Sequence, residues 1–331
     1  MALIDAHYNP HVSERPGQTL PAPPFYFPLR HGRYDVSAGL TKLGKDHGGG
    51  SADAQVFQLD NTFEQFREAK RPAWHLRRFA RHGLEHHLRP AVASAVATFV
   101  ATRLVAEHPR DFTLECNLAG ACVLHCRLSG ESLPFGQGMR LAVHGHHRSS
   151  LDALAHQVQE DLAIVSTSPD GAHWLSFLHV CLPNGWAPEE KIGRSFAAVH
   201  APVAGMADMN RRGDDFVKVM VRATDGLVRF AWGVTFDDEL NHHPCLPRRP
   251  FDPQCPRAFL RVERQTIWGF PRVGAALFTI RTYLYDLADL RRDPLTRAPL
   301  VEALRTMPAE SLKYKGIAPH ADALLAWLTL P

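Results

Sequence analysis

Residues 259–285 read FLRVERQTIWGFPRVGAALFTIRTYLY, two runs rich in β-branched and aromatic residues parted by Pro271 and Gly274. The spacing predicts strands over 259–266 and 275–285. Period-two alternation sends Arg261, Glu263 and Gln265 to one face and Arg264 to the other, and Arg281 puts a further charge on the neighbouring strand. Charges alternating through a central strand are costly unless they are paired or face a polar pocket. The segment is therefore either a functional site or an ion-pair ladder on an exposed face.

Working outward, 173–182, 216–223 and 227–234 have the same short, β-branched character and also read as strands. With few long crossovers between them, an α+β fold, an antiparallel sheet with helices on one side, fits better than a doubly wound parallel sheet. Ahead of them, Asp60 is expected to cap a helix that presents Phe63 and Phe66 and is interrupted at Pro72, with more helix through Leu76 and Phe79. An Ala/Val-rich helix follows Pro90 and ends near Glu107. Ser149 or Ser150 caps a helix whose stripe is Leu151, Leu154, Val158 and Leu162. Residues 298–306 and 319–328 read as closing helices, the latter packing Leu324, Leu325 and Leu328. Residues 1–50, rich in Pro, Gly and His, form an extended arm lying on the body. Residues 51–331 form one elaborated domain, without repeats or a convincing linker.

The chain has 331 residues, 45% hydrophobic and 21% charged, which excludes disordered and low-complexity architectures for most of its length. Its 37 Lys+Arg against 34 Asp+Glu, with no long run of like charge, give no sign of a nucleic-acid partner. The start lacks a basic segment followed by an apolar one, and the longest apolar run, 91–102, is short for a membrane span, so a cytoplasmic location is expected. Cys116, Cys122 and Cys126 match neither zinc nor iron–sulfur spacing and read as small buried hydrophobes. The 20 His residues invite a search for a metal site.

Several clusters answer that search. HGGG at 47–50 has the form of an oxyanion loop, but no G-x-S-x-G nucleophile accompanies it. His82, Glu85 and His86 match H-x-x-E-H, which on a helix would hold zinc, although Gly83 and the neighbouring Arg77, Arg78, Arg81 and Arg89 oppose that use. HGHH, ending in His146 and His147, and HHPC, with His242, His243 and Cys245, read as solvated loops. The segment WAPEEKIGRSFAAVHAPV (186–203) differs from these. Pro188, Glu189 and Glu190 suit a first helical turn, and Ile192, Phe196, Val199 and His200 share a stripe ending at Pro202. An imidazole closing an apolar stripe suits either a hydrogen-bonded core histidine or the axial ligand of a haem.

VQEDLAIV (158–165), CLPNGWAPEEKIGRSFAAVHAPVAG (181–205), LRVERQTIWGFPRVGAALFTIRTYL (260–284) and YKGI (314–317), together with FQLDNTFEQFREAKR (57–71), resemble the α subunit of the haem-dependent oxidative N-demethylases. The resemblance covers about residues 55–320. It implies a PAS-like fold elaborated by N- and C-terminal helices, holding haem b with His200 as the iron ligand. It also implies oxidative removal of a methyl group from a dimethylamine-like secondary amine, using O2 and releasing formaldehyde. Electrons would come from NADPH through partner subunits carrying FMN and a 2Fe-2S cluster, with tetrahydrofolate on another partner. On this chain Glu263 would face the substrate ammonium, Arg261 or Arg229 would assist oxygen, and Lys191, Arg194 and Arg264 would meet the haem propionates. A homo-oligomer is compatible with this picture. One departure stands out: where the family has R-x-N-W, this chain reads Arg229-Phe-Ala231-Trp232. A haem-based gas or redox sensor of PAS type and a zinc hydrolase using His82, Glu85 and His86 are the competing readings.

Overall fold

The structure is a computed structural model and describes residues 20–29, 31–36, 39–74, 80–142 and 145–330. In chain order the strands are β1 (Thr41–Lys42), β2 (Gly83–Glu85), β3 (Phe112–Cys116), β4 (Cys122–Cys126), β5 (Ser132–Gly136), β6 (Arg140–Leu141), β7 (Asp161–Thr167), β8 (His173–His179), β9 (Leu227–Thr235), β10 (Phe259–Phe270) and β11 (Ala275–Asp286). The helices are α1 (Phe63–Lys70), α2 (Pro90–Glu107), α3 (Ser150–Ala155), α4 (Phe196–His200), α5 (Ala207–Arg211), α6 (Gly213–Arg222), α7 (Leu287–Leu290), α8 (Pro294–Arg305), α9 (Ala309–Tyr314) and α10 (Ala321–Thr329). The fold is α+β. A seven-stranded sheet runs β1-β9-β10-β11-β7-β8-β2 with every neighbouring pair antiparallel, and β3 to β6 form a separate four-stranded meander.

The β10–β11 hairpin is the spine of the large sheet. Phe259 pairs with Asp286 and the register holds without a slip to Phe270 and Ala275. This register puts Val262, Arg264 and Thr266 on one face with Tyr283, Arg281 and Thr279, while Arg261, Glu263 and Gln265 share the other with Thr282 and Ile280. The first face is thickly covered. One part meets α2, α3 and the meander through Leu162, Ile164, Phe177 and Leu277. The rest meets α8 and α10 through Val234, Leu260, Val262 and Tyr283. Residues 20–29 lie against this second part, with Tyr26, Phe27 and Leu29 buried.

Arg264 and Arg281 are direct cross-strand partners, each about 1% exposed. Like charges opposed in a sheet repel, and a guanidinium out of water must find acceptors. Arg264 donates to the carbonyls of Asp53 and Gln55 at 3.2 and 2.7 Å. Arg281 donates to the carbonyl of Thr282 at 2.8 Å, pairs with Asp60 Oδ2 at 2.5 Å and lies over the Phe66 ring. The segment before α1 is thereby fastened to the centre of the sheet.

Several sequence expectations change. Residues 216–222 belong to helix α6, because Phe216, Val217 and Met220 fall on one helical face over β10 and β11, and Asp214 and Asp215 sit at its positive end. Two helices therefore reach the second face of the sheet, which was expected to be bare of them. The helix capped by Ser149 stops at Ala155, and Leu162 belongs to β7 instead. Its stripe breaks because Gln159 and Glu160 turn to accept the amides of Asp60 and Gln58. The first helix starts at Phe63, and Asp60 instead accepts the Thr62 amide. Residues 188–200 break into a turn at Pro188–Glu190 and α4, parted by Gly193 at φ +75°. The meander was not anticipated. In it Cys116 and Cys122 are cross-strand partners joined by a disulfide, whereas Cys126 is a buried free thiol. Helix α2, at 18 residues, is long and apolar enough to cross a membrane, yet its stripe Val92, Val96, Val100 and Leu104 is fully buried in the core. Leu76, Phe79, Arg77 and Arg78 lie outside the described residues.

Replacing Asp60 with Ala leaves the Arg281 guanidinium buried without its counter-charge, and the unfolding free energy in urea should fall by about 3–5 kcal/mol. Burial opposes ionisation of Asp60, but Arg281 and the Thr62 hydrogen bonds outweigh it and hold the carboxyl below its usual range. A lowered folded-state pKa gives stability that is complete above about pH 4 and lost as the pH falls further. Asp60→Asn should remove that part of the acid sensitivity in a pH series of urea melts.

Candidate functional site

The second face of the large sheet is unevenly covered. Helix α6 closes one end through Val217 and Met220, which pack on Val165, Ile267 and Ala276. Beyond that end, mid-sheet residues that would ordinarily be sealed stay half-buried: Arg229 and Ala231 on β9, Glu263 on β10, and Phe278, Ile280 and Leu284 on β11. Above Gly233, further along β9, an added Cβ would meet nothing within 4 Å. This is a recess with an aromatic and aliphatic floor and a charged end.

Helix α4 stands at its margin. Ser195 caps it by accepting the amide of Ala198, and Phe196 packs against Phe216 of α6. The preceding loop is stitched to β8 by two backbone bonds, Gly193 to the Leu175 carbonyl and Leu175 to the Arg194 carbonyl. Lys191 Nζ donates to the carbonyl of Val199 at 2.9 Å, capping the other end of α4. His200 is thus held from both sides. Its Nδ1 lies 2.8 Å from the Phe196 carbonyl, which fixes the proton on that nitrogen, and among the described residues Nε2 has no hydrogen-bond partner. Burial first, then the nearby Arg229 and Lys191, push the His200 pKa down against the opposing Phe196 bond. At neutral pH the ring is uncharged.

The charged end of the recess is centred on Glu263. Gln265 donates to its Oε2 at 3.0 Å, and Arg261 Nε lies 3.6 Å from its Oε1. Arg229 and Lys315 are both lowered by burial and drawn back up by the Glu263 charge. Lys315 is the basic residue of YKGI, and its Nζ donates to the Trp232 carbonyl on β9 at 2.6 Å. Lys315 was not singled out by its side chain in the sequence; a lysine before Gly316 at the end of a helix was its only local signal. Ala231 is the direct cross-strand partner of Glu263, so the family asparagine would stand beside this carboxylate.

The predicted site residues divide accordingly. His200, Lys191, Arg229, Glu263 and Arg261 gather around the recess. Arg261, 1% exposed, is committed to the carbonyls of Leu240 and Leu182 at 2.9 and 2.7 Å, so it anchors the loops at the sheet end instead of facing open space. Arg194 is exposed at the rim. Arg264 is on the opposite face, bound to Asp53 and Gln55, and does not join the site.

The other clusters resolve by geometry. In HGGG the amides of His47 and Gly49 already bind Asp53 Oδ2, leaving no oxyanion pocket there. Residues 83–85 form an edge strand, so His82 and His86 do not share a helix face; His82 Nδ1 bonds the Val180 carbonyl while His86 is exposed, and the zinc-hydrolase arrangement does not form. The HHPC and HGHH segments are more buried than expected. His242 pairs with Asp237 at 2.7 Å, and His243 lies between Glu189 and Cys245 beside a pocket of about 510 Å³. His147 is buried, His146 is exposed and His144 lies outside the described residues.

An iron porphyrin fits these residues: one neutral imidazole with its outer nitrogen bare, an apolar floor, and basic side chains at the margin. Residues 50–325, which include every residue of the recess, match the family model described as haem-dependent oxidative N-demethylase, alpha subunit-like. The chain belongs to that family.

Proposed function

We propose that this chain is the haem-carrying subunit of an oxidative N-demethylase acting on a small secondary amine such as dimethylamine. The observation that carries the reading is the His200 ring, with Nδ1 tied to the Phe196 carbonyl and the Nε2 lone pair unpartnered among the described residues, beside a half-open apolar recess. Haem b held there by His200 would supply the oxidising chemistry that attacks a methyl C–H with O2. Everything else in the recess concerns binding and orientation. Glu263 offers a carboxylate to the alkylammonium, and Gln265 and Arg261 hold that carboxylate in one orientation, so Arg261 is a positioning residue. Arg229 is coupled electrostatically both to Glu263 and to His200 and would keep positive charge near the site where haem would activate oxygen. Lys191 steadies α4, and exposed Arg194 suits a propionate. The PAS-like description of the sheet belongs to this reading, as do a cytoplasmic location and electrons delivered from NADPH by FMN and 2Fe-2S partners, with tetrahydrofolate capturing formaldehyde.

Ala231 favours one alternative. With a methyl group opposite Glu263, the site loses an amide that could orient substrate, which suits a haem-based sensor of PAS type as well as a catalyst of altered specificity. Release of formaldehyde from dimethylamine with supplied electrons distinguishes them, and Ala231→Asn should raise that rate if the site is catalytic.

Purified protein should show a Soret band that is lost in His200→Gly and restored by added imidazole; a band unchanged by the substitution would sink the assignment. Because the His200 pKa lies below its usual 6.5, ligation should be complete at pH 7 and fail only as the pH falls well below that value. Glu263→Gln should keep the band yet weaken amine binding at least tenfold by optical titration, equivalent to about 1.4 kcal/mol.

A further inference from the structure

On the covered face of the sheet, away from the His200 recess, three imidazoles stack against one carboxylate. The ring centroids of His147 and His156 lie 5.4 Å apart, and those of His156 and His179 lie 4.8 Å apart. Ser149 caps α3 by accepting the Asp152 amide, which sets Asp152 in the first turn and His156 just past the last, four residues apart on one side. We propose that His147, Asp152 and His156 bind a divalent transition-metal ion, with zinc the best match to two imidazoles and one carboxylate. Ligand atoms of these three lie within 4.8 Å of one another, and the side chains are 5, 2 and 1% exposed.

The deciding atom is His147 Nδ1. Its other nitrogen, Nε2, lies 2.9 Å from Glu131 Oε2, so the ring proton belongs there. Nδ1 then carries a lone pair, is buried, and among the described residues has no hydrogen-bond partner. It faces Asp152 Oδ2 at 3.9 Å, which is too long for a hydrogen bond. Two facing lone pairs in a low-dielectric interior repel each other unless a cation lies between them. Ligands at ~2.0–2.1 Å from a tetrahedral zinc stand about 3.4 Å apart, so a small closure of this gap would suffice. His156 Nδ1 donates to the Asp152 carbonyl at 2.9 Å, so the lone pair that this ring offers a metal is on Nε2.

The surroundings are those of a ligand set. Glu131 holds His147 in the tautomer that presents Nδ1, the usual arrangement of a carboxylate behind a metal-bound histidine. Asp152 is aimed by His179 Nε2 at 3.0 Å and by the Arg148 amide at 2.8 Å. Burial disfavours its charge, but His179 and His156 keep the carboxyl well below the usual range, so it is anionic at neutral pH. His146, exposed and 3.9 Å from Glu131 Oε1, stands on the solvent side and marks a route of entry. The competing arrangement is a doubly protonated His147 bridging Glu131 and Asp152.

Chelator-treated full-length protein should bind one equivalent of Zn2+ by calorimetry, and Co2+ in its place should give the strong visible absorption of a tetrahedral site. Both should persist in His200→Ala, which separates this site from the haem. His147→Ala should weaken binding at least 100-fold, and Glu131→Gln, which touches only the outer nitrogen, by roughly 10- to 100-fold. Circular dichroism identifies any variant that fails to fold, and the Glu131 variant carries the test if His147→Ala does. Wild-type protein that takes up no stoichiometric metal, or equal affinity in folded His147→Ala, would overturn the site. An ¹⁵N spectrum showing both His147 nitrogens protonated in the metal-treated protein would do the same.

Discussion

Two arginines opposed across the central hairpin set the terms for the rest of the fold. Arg264 and Arg281 point into the covered face, where neither water nor each other can satisfy them. Apart from the neighbouring Thr282 carbonyl, their acceptors come from residues 53–62, far away in sequence, so that segment is fastened to the centre of the sheet. Neighbouring polar groups obey the same demand. Lys70, wholly buried, is surrounded by the carbonyls of Ala155, Val158 and Glu160, and Tyr283 is bound to Gln58. One side of the sheet thus joins apolar packing to a polar network in which the N-terminal segment, α1 and the turn before β7 meet.

The opposite side is built differently. There the charged positions of β10 are two residues apart on one face, and only one end is sealed by α6. A sheet stabilised mainly from one side can leave part of the other uncovered, and the recess beneath His200 is that part. Its groups are held by neighbours more than by burial: Glu263 by Gln265 and Arg261, and His200 by Phe196, Ser195 and Lys191.

Much of this was legible in the sequence, and the reasons for the rest are specific. The long strands and their facing were readable because Arg261, Glu263 and Arg264 alternate, and the cost of burying them marked the segment. His200 stood out by its stripe and terminating proline. Residues 216–223 misled because Val217, Val219 and Val221 carry strand-like branching, while the contacts that make a helix of them come from β10 and β11. The HGHH cluster misled because Gly145 and the polar neighbours read as solvent-facing, whereas Glu131, remote in sequence, draws His147 inward. Arg264 matched the family pattern, yet its parity on the strand placed it with the scaffold.

Gly193 has a broader consequence. Its left-handed backbone lies so close to the His86 ring that an added Cβ would come within 2.9 Å, and its amide is bonded to β8. The five-residue helix that carries His200 is therefore coupled to an outer strand of the sheet, and through His86 to the edge strand next to it. The position of the His200 imidazole is thus tied, through Gly193 and the backbone bonds around Leu175, to the margin of the sheet, where a larger residue at 193 would displace His86 or the loop before α4.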